Sequence, residues 1–152
     1  MWYNLGMPTS FSTKSALVRL AEAIGYPERV SEGAKSFTFT VDERDIVATE
    51  AKGVLRLRSI LMEPTAGEAD DAKLLRLAEF AAGRVLREDA VLAWEPELEA
   101  LILWQEISAK AEAEDLREFL EVFATSLDWW SDRVAEEAAA PTPAMPEFVI
   151  RP

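Results

Sequence analysis

The chain reads as an α+β protein in which an antiparallel sheet, a three-strand meander plus a hairpin, is accompanied by three helices in the order α-β-β-β-α-β-β-α. Three observations predict this. Ser36-Phe37-Thr38-Phe39-Thr40-Val41 alternates apolar and polar residues with the period of two that a half-buried strand needs. Leu116, Leu120, Phe123, Leu127, Trp130 and Val134 instead recur at steps of four and three, the period of a helix with one apolar stripe. The segments after residue 41 are joined by connections too short for anything but neighbouring antiparallel strands. With 152 residues the chain is the size of one domain, placed at 1–140, with a Pro-rich tail over 141–152. There is no internal repeat.

The first helix takes its cap from Ser10 or Ser12 and runs through Leu17, Leu20, Ala21 and Ile24, before Gly25 and Pro27 end it. In the strand that follows, Phe37, Phe39 and Val41 share a face. Asp42-Glu43-Arg44-Asp45 reads as a turn, residues 46–49 as the second strand, Lys52-Gly53 as another turn and residues 54–61 as the third strand. Leu55, Leu57 and Leu61 point to the core, which leaves Arg56, Arg58 and Ile60 on the opposite face. That mixed face predicts partial cover.

Residues 64–70 form a loop in which Thr65 and Glu68 have capping-box spacing. A second helix over about 71–87 is apolar around more than half its circumference, through Leu74, Leu75, Leu77, Ala78, Phe80, Ala81 and Val85. So wide a stripe asks for two burial partners. Gly83 costs about 1 kcal/mol relative to Ala inside a helix, and close approach of another backbone is a reason to keep it. Residues 90–94 and 99–107 flank Glu95-Pro96-Glu97 as a second hairpin, with Pro96 in the turn because it has no N–H for a ladder.

The last helix spans about 111–137. Adjacent side chains on a helix diverge by about 100°, so Trp129 and Trp130 cannot share the middle of one stripe. With Phe119 and Val122, Trp129 makes a flanking line, and the helix either buries a broad face or offers an aromatic edge to another chain. Residues 110–137 hold nine acids and three bases. Either that is a solvated face, or it is a docking site for a basic segment. Pro141, Pro143 and Pro146 then lead to an extended Phe148-Val149-Ile150.

Composition removes many functions. Lys and Arg number 16 against 28 Asp and Glu, a net charge of −12, which repels a nucleic-acid backbone and anionic membrane surfaces. With no Cys and no His, thiol nucleophiles, Ser-His triads and Cys/His metal sites are absent, and no metal or cofactor is expected. Lys14 is the first positive charge, so a secretory n-region is missing. The apolar run Ala100-Leu101-Ile102-Leu103-Trp104 falls far short of the about 18 residues of a membrane span. The expected location is the cytoplasm.

Nothing singles out a catalytic pair. Glu95, Glu97 and Glu99 straddle a turn; Asp42-Glu43-Arg44-Asp45 lacks calcium-loop spacing; Asp70-Asp71 favours a helix N-terminus; and the six glycines are too scattered for a phosphate loop. No catalytic residue is assigned. A small-molecule enzyme using carboxylates with Arg56 and Arg58 would need a concave pocket around those side chains.

The order of elements, the size and the acidity resemble the class I chaperones of type III secretion, the Tir-chaperone family. The likeness covers about residues 10–137. It is carried by Ser36 to Ile60, by Leu74-Leu75-Arg76-Leu77-Ala78-Glu79-Phe80, by Leu92-Ala93-Trp94-Glu95-Pro96-Glu97-Leu98-Glu99-Ala100-Leu101-Ile102-Leu103-Trp104, and by Leu116 to Val134 with Trp130 near its end. The resemblance implies a non-catalytic bacterial homodimer that holds the N-terminal region of a secreted effector in extended form. It projects effector binding onto Leu17, Leu20, Phe37, Phe39, Val54 and Ile60, with ordinary core burial as the other reading of Phe37 and Phe39. It projects the dimer interface onto Leu77, Phe80, Ala81, Val85, Ile102 and Trp104. The competing expectation is a regulatory or interaction domain of the same fold that binds a folded protein.

Overall fold

The structure, a computed structural model, describes residues 14–63, 68–84 and 87–139. Helix α1 (Ala16–Ala23) is followed by a short 3-10 turn and by strands β1 (Ser36–Val41), β2 (Arg44–Ala51) and β3 (Val54–Met62). Helix α2 (Glu68–Arg84), strands β4 (Val91–Glu95) and β5 (Ala100–Ser108) and helix α3 (Ala113–Ala139) follow. The five strands form one antiparallel sheet in the order β1-β2-β3-β5-β4. The expected α+β order of elements is the observed one. Ser10, Ser12, Thr65, Val85 and the tail 141–152 lie outside the described residues.

The meander is held by two tight turns. Asp42 and Glu43 have φ of +49° and +67°, and Lys52 and Gly53 have +54° and +78°. Two successive positive φ values make the turn whose twist matches that of paired strands. Arg44 and Asp45, expected in the first turn, instead belong to β2, where they pair with Val41 and Thr40. The junction of meander and hairpin is the long ladder from Val54↔Ser108 to Ile60↔Ile102, irregular before Met62↔Leu101.

One face of this sheet carries the core. Ile46, Ala48, Leu55, Leu57 and Leu103 are fully buried on it, as are Leu17 and Leu20 of α1 and Leu116 and Phe123 of α3. Both helices therefore pack on the same side. Leu127, Trp130 and Val134 continue the α3 stripe, as their spacing predicts. Gln105, opposite Leu57, is a buried polar exception whose Oε1 has no partner among the described residues.

The cap of α1 differs from expectation in a way that ties it to the sheet. Ser15 sits at the N-cap and its Oγ accepts from Val18 N–H at 3.2 Å. The helix has no acid in its own first turn. Glu50 of β2 supplies one, its Oε1 accepting from Leu17 N–H at 3.1 Å, where the helix dipole favours a negative charge. Arg19 reaches from the same helix to the carbonyls of Ala109 and Ala111. In this way α1 is fastened to β2 and to the link before α3.

Candidate partner-binding surfaces

Two surfaces are left apolar and open. The first lies beside α2. Leu77 is the one fully buried side chain described on that helix; Leu74, Phe80 and Ala81 are half-buried and Leu75 is 63% exposed. Leu74, Ala78 and Ala81 face Val91, Leu92, Trp94 and Leu101 of the hairpin across a cavity of about 550 Å³, with Trp130 at its base. Trp94 is 43% exposed. Where the wide stripe asks for a second burial partner, α2 has a side that no described residue covers.

Cations seal the inner edge of that groove. The Arg84 guanidinium lies 3.7 Å over the Trp129 ring and that of Arg133 lies 3.8 Å over Phe80, geometries in which a ring face attracts a positive charge. Hydrogen bonding to Glu88 holds Arg84 above its ordinary guanidinium pKa. Arg76 donates to Glu137 at 2.9 Å, joining α2 to the end of α3. The tryptophan pair resolves accordingly: Trp130 is in the core, and Trp129 meets it edge-on at 4.9 Å under the cations. On the flanking line, Phe119 is buried and Val122 is 43% exposed.

The second surface is the face of the sheet away from the helices. Val54, Arg56, Arg58 and Ile60 of β3 alternate with the core residues and align with Ser108, Glu106, Trp104 and Ile102 of β5. Arg56 donates to Glu106 at 3.2 Å and lies 4.6 Å over the Trp104 ring. Beside them is a depression of about 420 Å³ floored by Val47, Thr49, Ala51 and Val54 and edged by Lys52, Arg56, Arg58 and Glu106. It does enclose the Arg56 and Arg58 that an enzyme would use, but its one carboxylate is engaged by Arg56. Among the described residues no three acidic side chains come together as a possible metal site.

The residues projected as effector-binding divide between core and surface. Leu17 and Leu20 are sealed against the sheet and α3, and Phe37 and Phe39, stacked at 5.3 Å, are about 95% buried on the core face of β1. In the lone subunit a partner cannot touch these four, because the same periodicity that marks a groove also marks a core. Val54 is half-buried and Ile60 is 45% exposed, both on the outer face. The residues projected as interface fall on both surfaces. Leu77, Phe80 and Ala81 belong to α2, while Ile102, 4% exposed, and half-buried Trp104 lie on the outer sheet face.

Leu75, on the wide stripe of α2, Val122, on the flanking line of α3, and Trp94 are exposed apolar residues. Trp94 shares the core-side register of Leu101, and only its place at the sheet margin, where α2 does not close over it, leaves it open. Gly83 also departs from expectation: a Cβ built there meets nothing within 4 Å, so no backbone of another described element approaches it.

No protein-family model and no curated protein matches the chain. Solved structures do match its fold. A chain of the HopA1–SchA chaperone–effector complex is 15% identical with a TM-score of 0.57, over 77% of this chain and 91% of that one. A chain of the ExsC–ExsE complex is 17% identical with a TM-score of 0.56, over 86% and 96%. One from the heterodimeric ExoU–SpcU complex of the type III secretion system of Pseudomonas aeruginosa is 15% identical with a TM-score of 0.57, over 76% and 93%. The resemblance to class I chaperones of type III secretion therefore holds at the level of the fold.

Proposed function

We propose that this protein is a non-catalytic chaperone of type III secretion, acting as a homodimer in the bacterial cytoplasm. It binds the N-terminal region of a secreted effector in extended form and keeps it soluble and competent for export. The observation that carries the reading is the fold shared, over at least three quarters of the chain, with chains from chaperone–effector and type III secretion complexes.

Physical features of the molecule support it. Among the described residues β1 and β4 each pair with one strand, and an outer edge of this kind can take an added strand through main-chain hydrogen bonds that do not depend on the added sequence. Val54 and Ile60 offer apolar contact on the outer sheet face, while Leu17, Leu20, Phe37 and Phe39 shape the surface from beneath by holding α1 and β1. Ordering an extended segment costs about 2–5 kcal/mol, so the client covers a large area and its release needs active stripping. The α2 groove and the Ile102 and Trp104 face serve pairing of two copies. No described helix is long and apolar enough to cross a membrane.

Co-purification from the native host followed by limited proteolysis tests the reading. The expected result is a protected fragment from the N-terminal part of a larger secreted protein, a fragment that is unfolded when isolated. A compact, folded partner would instead establish the competing interaction-domain reading.

A further inference from the structure

One part of the outer sheet face is positively charged in a strongly negative molecule, although Asp45 and Glu95 share that face. Its depression is edged by Lys52, Arg56 and Arg58 against Glu106 alone, a local balance of 3 − 1 = +2, whereas the whole chain carries −12. The two arginines stand on one face of β3 two residues apart, so their like charges repel unless something offsets them. Arg56 is offset: Glu106 is its cross-strand partner and Trp104 its stacking surface. Arg58 is not. Its cross-strand neighbours are Val47 and Trp104, and among the described residues no carboxylate forms an ion pair with it or with Lys52. Arg58 is half-buried, so its charge is less well hydrated than that of a free surface arginine.

We infer that this depression is a specificity site for an acidic side chain of the bound client: an extended segment places an Asp or Glu against Arg58 and Lys52 and an apolar residue on the Val47, Thr49 and Val54 floor. The inference rests on the chaperone reading and deepens it: the client takes the β2 side of the outer face, and Ile102 and Trp104 on β5, which do not line the depression, are left to the second copy. Backbone pairing at a sheet edge is indifferent to client sequence, whereas a carboxylate held by an arginine fork is directional and lost with a single substitution. It also predicts a preference against the overall field, since a molecule with a net charge of −12 repels an acidic peptide at long range.

The test uses the full chain and dye-labelled peptides of about ten residues, long enough at about 3.3 Å per residue to span the sheet. One alternates Glu with Val, and the other alternates Gln with Val. Fluorescence anisotropy is expected to show the Glu peptide binding about ten-fold more tightly than its neutral counterpart, with the advantage shrinking as salt is added. Arg58→Glu removes that advantage and Lys52→Gln reduces it. Arg58→Gln, which buries no new charge, gives the same loss if Arg58→Glu fails to fold. Equal binding of the two peptides, tighter binding of the Gln peptide, no binding of either, or an unchanged preference in Arg58→Gln overturns the inference. A protein that still captures an unfolded effector segment under those results remains a chaperone without this site.

Discussion

At the scale of single residues, the most informative contacts join parts of the chain far apart in sequence. Glu50 caps α1 from β2, across 33 positions, beside the local cap from Ser15. Losing an N-cap hydroxyl costs about 1 kcal/mol. Ser15→Ala is therefore expected to lower unfolding free energy by about 1 kcal/mol in urea, and Glu50→Gln, which keeps an acceptor but removes the charge, by about 0.5 kcal/mol. An effect of Glu50→Gln as large as that of Ser15→Ala would mean the charge matters more than the hydrogen bond. The Glu50 contact was not legible in the sequence, since no spacing rule connects a strand carboxylate to a helix that precedes it. Ser15 has the same capping chemistry as Ser10 and Ser12, and residue type alone does not choose among the three.

At the scale of elements, periodicity located every described helix and strand, and the discrepancies lie at the ends. The first hairpin turn is shorter than expected because Asp42 and Glu43 adopt positive φ, which releases Arg44 and Asp45 to the ladder. Helix α2 is the element whose context the sequence described least well. Its wide apolar stripe was plain, but not which part α3 and β4 would cover. Gly83 lies near its end with open space where a Cβ would stand. Gly83→Ala is expected to stabilise the subunit by up to about 1 kcal/mol through helix propensity alone, measured by the urea midpoint at low protein concentration. A loss of stability that grows with protein concentration would show that a second copy approaches the helix at that point.

At the scale of the whole molecule, the distribution of charge and apolar surface separates two regions. The helical side is acidic along α3, and the groove by α2 and the outer sheet face are apolar with fixed cations. Dimerisation through those regions predicts a mass of about 34 kDa in solution, twice the 16.9 kDa of one chain. Phe80→Asp and Trp104→Asp are each expected to shift it to the single-chain value, because pairing would force a carboxylate into an apolar contact. Within one subunit either carboxylate would stand near an arginine, Arg133 at Phe80 and Arg56 at Trp104, so both variants should still fold. Light scattering with a melting curve reads both. Parent mass and parent melting temperature in both variants would remove these residues from the interface.

The sequence alone determined the strand and helix periods, the order of elements, the acidity and the absence of Cys and His, because each depends on residue type and local spacing. The tertiary structure decided which apolar residues are spent. Leu17, Leu20, Phe37 and Phe39 have the same pattern as groove-lining residues would, and only the packing of α1 and α3 on one sheet face placed them in the core. The same packing left Ile60 and Arg58, which has no ion pair among the described residues, outside, since a sheet has two faces and these helices cover one; Trp94 is open for a different reason, its place at the sheet margin.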